Sequence, residues 1–134
     1  MVFDQFTLEG KVAIVTGAGK GLGPTMALSL AQAGAAVVAV ARTEREIQKT
    51  VDAVSKLGKT GLAVPVDVTD SKAVDYLFAQ VAMKLGSIDI LINNAGGEFG
   101  FSKAATELSD EEWGQTLATN LTGAFYCVRA AGRY

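Results

Sequence analysis

The sequence predicts an α/β fold: an open parallel sheet with helices packed on both faces. Three observations predict it. Short β-branched runs alternate with helical periods along the chain, in the order β-α-β-α-β-α-β-α. Strands joined through helices must run parallel, with right-handed crossovers, and their sheet is covered on both sides. The first strand also meets the first helix through a glycine-rich turn, TGAGKGLG, over residues 16–23.

Each element has its own warrant. KVAIVT, residues 11–16, reads as a buried strand. A helix over about 22–33 follows, with Pro24 in its first turn, where a missing N–H costs nothing. Met26, Leu28, Leu30 and Ala31 are its candidate packing residues, and Gly34 ends it. AVVAVA, 36–41, is the second strand. Thr43 and Glu46 have the spacing of a capping box; Ile47, Val51, Val54 and Leu57 recur at helical spacing behind them, up to Gly58. GLAVPV, 61–66, is the third strand, and Pro65 marks it as an edge. A third helix over 71–85 presents Val74, Leu77, Phe78, Val81 and Leu85 on one face. IDILIN, 88–93, is the fourth strand, apolar enough for the sheet interior. Ser109 and Glu112 form a second capping-box pattern, opening a long helix through Trp113, Leu117, Leu121, Phe125 and Val128.

Composition narrows the function. At 134 residues the chain is one domain or part of one, and 49% hydrophobic against 19% charged residues excludes a disordered segment. A net charge of −2 gives no footprint for nucleic acid or an anionic membrane surface. The longest apolar stretch, AGAAVVAVA, falls well short of the ~20 residues of a spanning helix. The N-terminal MVFDQFTLEG lacks the pattern of a secretory leader. Cys127 is the single cysteine and points to a reducing, cytoplasmic setting. With no histidine, no Cys/His metal cluster is expected, and any acid–base chemistry falls to Tyr, Lys, Asp or Glu.

The glycine turn is the strongest functional signal. Glycine weakens strands and helices by roughly 0.5–1 kcal/mol per residue, so a cluster of them must meet a need for bare backbone. A helix N-terminus offers unpaired N–H groups and a partial positive charge, and a phosphate can reach them only past small residues. Gly17, Gly19, Lys20, Gly21, Leu22 and Gly23 form this candidate phosphate-binding turn. No Gly-Lys-Ser/Thr ends it, which excludes a Walker P-loop. The end of the second strand is where an acid would accept a bond from the ribose 2′-hydroxyl of NAD. Ala41 stands there, followed by Arg42, with Lys20 near by in the turn. Cations without a carboxylate suit a 2′-phosphate, so NADP(H) is expected over NAD(H). Read from the residues alone, Arg42 and Lys20 are equally ordinary solvated cations, Asp67 a turn or cap residue, and Asn120 an exposed helical amide.

These motifs together resemble one family. TGAGKGLG matches the TGxxxGxG fingerprint of the short-chain dehydrogenases/reductases on Thr16, Gly17, Gly21 and Gly23. NNAG, 93–96, is similar to the family's second signature, VDV, 66–68, to its adenine-contacting segment, and Asn120 in ATNLTGAF to its catalytic asparagine. The resemblance runs from Leu8 to Tyr134 and is nearest to 3-oxoacyl-carrier-protein reductases and sugar or polyol dehydrogenases. It implies a three-layer, Rossmann-type doubly wound sheet with strand order 3-2-1-4. It implies that Asp67 holds the adenine amino group beside Val68 and that Asn94, Ala95 and Gly96 lie at the cofactor ribose. It implies that Asn120 bends its helix and holds a water through its carbonyl. Read from the residues, Asn93 at the end of an apolar strand is an amide that bridges neighbouring strands.

The family's remaining machinery, a serine and a Tyr-x-x-x-Lys pair, is absent: Tyr76 is followed by Gln80, Tyr126 by Ala130, and Tyr134 is the last residue. Residues 1–134 are therefore expected to be the N-terminal part of one dinucleotide-binding domain, inactive alone. The whole would interconvert a small ketone and a secondary alcohol, as a homodimer or homotetramer through the long helix. A non-catalytic dinucleotide-binding module or redox sensor is the alternative; a methyltransferase would want an acid near position 41. GEFGFSKAA, 97–105, borders the substrate pocket, with Phe99 and Phe101 either lining it or packing.

Overall fold

The computed structural model describes residues 5–100 and 102–134. Its elements are β1 (Val12–Thr16), α1 (Gly23–Gln32), β2 (Ala36–Ala41), α2 (Glu44–Lys56), β3 (Gly61–Pro65), α3 (Ser71–Leu85), β4 (Ile90–Ile92), α4 (Asp110–Leu117) and α5 (Gly123–Ala131). The four strands form one parallel sheet in the order β3-β2-β1-β4, as expected. β1 lies inside it, paired to β2 from Val12↔Ala36 to Thr16↔Val40 and to β4 from Ala13↔Ile90 to Val15↔Ile92. Its five residues are all buried, which is why they read as an unbroken apolar run.

Alternate strand residues feed two cores. Ile14, Val38 and Val40 pack with Val74, Leu77, Phe78 and Val81 of α3 and with Cys127 and Ala130 of α5. Val15, Val37 and Ala39 pack with Ala27 and Ala31 of α1 and Ile47, Val51 and Val54 of α2. The period of two along the strands thus gives an α/β/α sandwich. Complete burial pushes the Cys127 thiol up to about 11, which keeps it protonated and inert. At the opposite end of β1, Asp89 accepts from the Val12 backbone N–H at 2.9 Å and pairs with Lys11 at 3.2 Å; the Val12 bond, then Ser87 and Lys11, hold its carboxyl below the usual range.

Several expectations are corrected. The buried stripe of α1 is Gly23, Ala27 and Ala31, not the larger Met26, Leu28 and Leu30, which sit half-buried at its flanks. The helix lies too close to the strands for anything larger, since a Cβ on Gly23 would fall 2.0 Å from the Gly17 carbonyl oxygen. Leu57 lies past the end of α2 and is 41% exposed. Thr43 holds the N-cap position of α2, yet no side-chain cap bond forms there, so that capping box is not made. The Ser109–Glu112 box is made, at 3.1 and 2.9 Å. β4 spans three residues, fewer than predicted, and is half-buried.

The predicted long helix is broken by a π-helical turn, Ala118–Thr122, where the Gly123 N–H reaches back to the Ala118 carbonyl. Of the apolar residues that recur along it, Trp113, Leu121, Phe125 and Val128 are more than half exposed. The buried face of α5 is Gly123, Cys127 and Ala130. Gly123 permits close docking on α3's approach: a Cβ there would meet Val68 Cγ2 at 2.7 Å.

Candidate functional site

The carboxyl ends of the strands open on a cavity of about 350 Å³. In an open parallel sheet this crevice is where ligands bind, beside the point where strand order reverses. Here the reversal falls at β1, whose neighbours β2 and β4 lead chain away in opposite directions.

The glycine turn builds one wall. Gly17 has φ of +64°, and a Cβ there would lie 2.9 Å from the Ala95 backbone and from Asn94 Nδ2. The turn can therefore pass directly over the end of β4. Leu22, at the N-cap of α1, supplies no side-chain acceptor, so the first-turn N–H groups of α1 have no side-chain cap. That is an anion-binding cradle by chemistry: donors without a side-chain cap at the positive end of a helix dipole. The residues present fit a dinucleotide's linked phosphates.

A single hydroxyl joins the two strands below the turn. Thr16 Oγ1 donates to the Ile92 carbonyl at 3.3 Å and accepts from Asn94 N–H at 3.1 Å and Ala95 N–H at 3.0 Å. Asn94 Nδ2 donates to the Thr16 and Gly17 carbonyls at 3.2 and 3.1 Å. The strand-bridging amide expected of Asn93 thus belongs to Asn94, while Asn93 is exposed.

Eight of the predicted binding residues line this one cavity: Gly17, Gly19, Lys20, Arg42, Asp67, Val68, Ala95 and Gly96. Gly21, Leu22 and Gly23 continue the turn outside its lining, and Asn94 braces it from behind. Asp67 makes a local turn, its Oδ1 accepting from Thr69 N–H at 2.9 Å and Thr69 Oγ1 at 2.8 Å. Val68 is buried. Asn120 sits within the π turn beside the cavity: Nδ2 donates to the Thr116 and Gly97 carbonyls, and Oδ1 accepts from Gly97 N–H at 3.3 Å. Its side chain thereby clips the 97–100 loop to the helix. Phe99 lines the cavity; Phe101 lies outside the described residues.

Sequence reasoning missed several contributors. Glu46, assigned to a cap, lies in the cavity wall. Gln115 and Thr119 also line it, and their only signal was position on a helix flanking the NNAG segment. Thr50 is buried against the turn, its Oγ1 donating to the Ala18 carbonyl at 2.7 Å. Among the described residues no cluster of three or more metal-ligating side chains occurs, and no helix is long and apolar enough to cross a membrane.

Comparison with known proteins gives this geometry a lineage. Residues 11–134 match the family profile of the short chain dehydrogenases. The chain is 39% identical over 127 residues to 2,3-dihydro-2,3-dihydroxybenzoate dehydrogenase of Bacillus subtilis, covering 95% of this chain and 48% of that protein. It superposes with a TM-score of 0.94 and 37% identity on a short-chain type dehydrogenase/reductase from Mycobacterium marinum, covering 99% of this chain and 53% of that one. An NAD+-bound xylitol dehydrogenase matches with a TM-score of 0.89 and 33% identity, over 93% of this chain and 48% of that one. The chain spans about half the length of the curated relatives it matches. A parallel 3-2-1-4 sheet, a bare glycine turn at its switch point and these matches along nearly the whole sequence lead to one conclusion: the chain belongs to the short chain dehydrogenase family.

Proposed function

We propose that the protein is an NADP(H)-dependent oxidoreductase that interconverts a small ketone and a secondary alcohol. One observation carries the cofactor reading: the glycine turn that leads into the uncapped start of α1 lines a cavity and brings Lys20 to it, and the wall past the end of β2 holds Arg42 and has Ala41 where an acid would stand. The turn amides hold the linked phosphates. Arg42 and Lys20 take the 2′-phosphate through charge-assisted hydrogen bonds, each worth about 1.5–3 kcal/mol. Asp67 and the Val68 backbone hold the adenine; Asn94, Ala95 and Gly96 flank the ribose. Asn120 positions a water through its carbonyl. When bound, the nicotinamide would supply hydride to the ketone's carbonyl carbon or accept it from the alcohol's carbinol carbon.

The protein that carries out this reaction extends beyond the residues described here. Two facts support that reading. The chain covers about half of its relatives, and neither Tyr76 nor Tyr126 has a lysine four positions on to make a proton-donating pair. The exposed side chains of Trp113, Leu121, Phe125 and Val128 support a homodimer or homotetramer formed through α4 and α5. The setting that fits a lone buried cysteine is the cytoplasm.

Titration of the full-length protein with NADPH and NADH tests the cofactor reading. Arg42→Ala should weaken NADPH binding by roughly tenfold or more and spare NADH. Equal losses for both nucleotides would refute it.

A further inference from the structure

The cavity wall that presents Arg42 also presents a carboxylate. Glu46 is half-buried there, in the first turn of α2, while Arg42 and Lys20 are exposed. Its place is fixed by Gly19: a Cβ on Gly19 would stand 2.9 Å from the Glu46 Cβ, 3.0 Å from its Oε2 and 3.6 Å from the Ala41 Cβ. The carboxylate therefore lies over the glycine turn, next to the vacant acid position at the end of β2. No other task occupies it. The capping box with Thr43 is not formed, and among the described residues Glu46 makes no ion pair and no side-chain hydrogen bond.

We propose that Glu46 is a specificity-determining residue that opposes Arg42, moderating the preference for a 2′-phosphate and letting the same pocket accept NADH. The inference rests on the cofactor reading above. A carboxylate at this spot repels a dianionic phosphate, because like charges at close range in a partly enclosed cavity repel strongly. The same oxygen accepts a hydrogen bond from a free ribose hydroxyl, as an acid at the end of β2 does in other dinucleotide sites. The role has moved from the strand end to the following helix, and Gly19 leaves room for it.

The test is fluorescence titration of the full-length protein with NADPH and with NADH, in wild type, Glu46→Gln, Glu46→Ala and Arg42→Ala. Glu46→Gln keeps the side chain's shape over Gly19 and removes its charge. It should tighten NADPH about tenfold and leave NADH unchanged or about threefold weaker. Glu46→Ala should shift the ratio of the two affinities the same way. A ratio that moves less than twofold in both variants would overturn the proposal. The parent reading fails differently: wild type then binds neither nucleotide, or Arg42→Ala loses both equally. Raising the salt concentration should shrink the Glu46→Gln effect on NADPH, a response that a purely packing role would not produce.

Discussion

α1 and α3 both begin where a parallel strand ends, on the same rim of the sheet, and their first turns are finished in opposite ways. α3 is closed by its own sequence: Asp70 Oδ1 accepts from Lys72 N–H and Ala73 N–H, both at 3.0 Å. α4 is closed likewise by Ser109. α1 starts at Leu22, whose side chain accepts nothing, and α2 starts at Thr43 without a side-chain cap. Both bare starts have neighbouring segments that contribute to the cavity, through Gly17, Gly19 and Lys20 and through Arg42, Thr43 and Glu46. A side-chain cap contributes about 1 kcal/mol, so leaving one out costs stability and keeps the donors available. The difference teaches how to read helix ends: the capped starts of α3 and α4 lie outside the cavity lining, and the bare starts of α1 and α2 follow segments that contribute to it.

Substitutions that interfere with one start and not the other sharpen this contrast. The largest effect belongs to Gly23→Ala, because the new Cβ would collide with the Gly17 carbonyl and the Ala18 Cα. Both are backbone and cannot swing aside. Loss of about 3 kcal/mol or more is expected, seen as a lower urea midpoint. Asp70→Ala should cost about 1 kcal/mol of stability by thermal melting and leave nucleotide affinity unchanged, since Asp70 stands outside the cavity lining. A matching loss of nucleotide binding would break the division between the two kinds of start. The smallest effect is expected from Leu22→Asp, which brings a negative charge to the bare end of α1. Stability should rise by up to about 0.5 kcal/mol from the helix dipole, while nucleotide affinity falls roughly three- to fivefold. Stability and binding moving in the same direction would show that the exposed amides of α1 are not what the ligand meets.

The same contrast explains what the sequence made legible. Strands and helices came through because burial on both faces forces unbroken apolar runs, as in VAIVT and AVVAVA, while the sheet order came through the family resemblance. The glycine turn came through because nothing else explains its composition. What stayed hidden depended on distances between segments far apart in sequence. Ala27 looks too small to matter until α1 is seen pressed against β1. Glu46 has the spacing of a cap, and only the fold reveals that Thr43 does not return the bond. Asn93 and Asn94 are indistinguishable as letters, and one residue of register decides which amide bridges β1. The π turn at Asn120 leaves no mark in the periodicity: adding one residue to a turn rotates later side chains by about 100°, yet Trp113, Leu117, Leu121, Phe125 and Val128 recur at spacings of four and three straight through it.

Thr16 has a consequence for how the molecule assembles. A hydroxyl can make one bond as donor and two as acceptor, and this one has all three, each to the segment Ile92–Ala95. β4 offers only Ile90, Leu91 and Ile92 for pairing, and a tripeptide so uniform could slide along its neighbour at small penalty. Slippage by a single position would strand the oxygen of Thr16 underground with its partners misaligned. The three bonds of Thr16 thus fix the register of β4 against β1, and the sheet and the glycine-rich turn share one anchor.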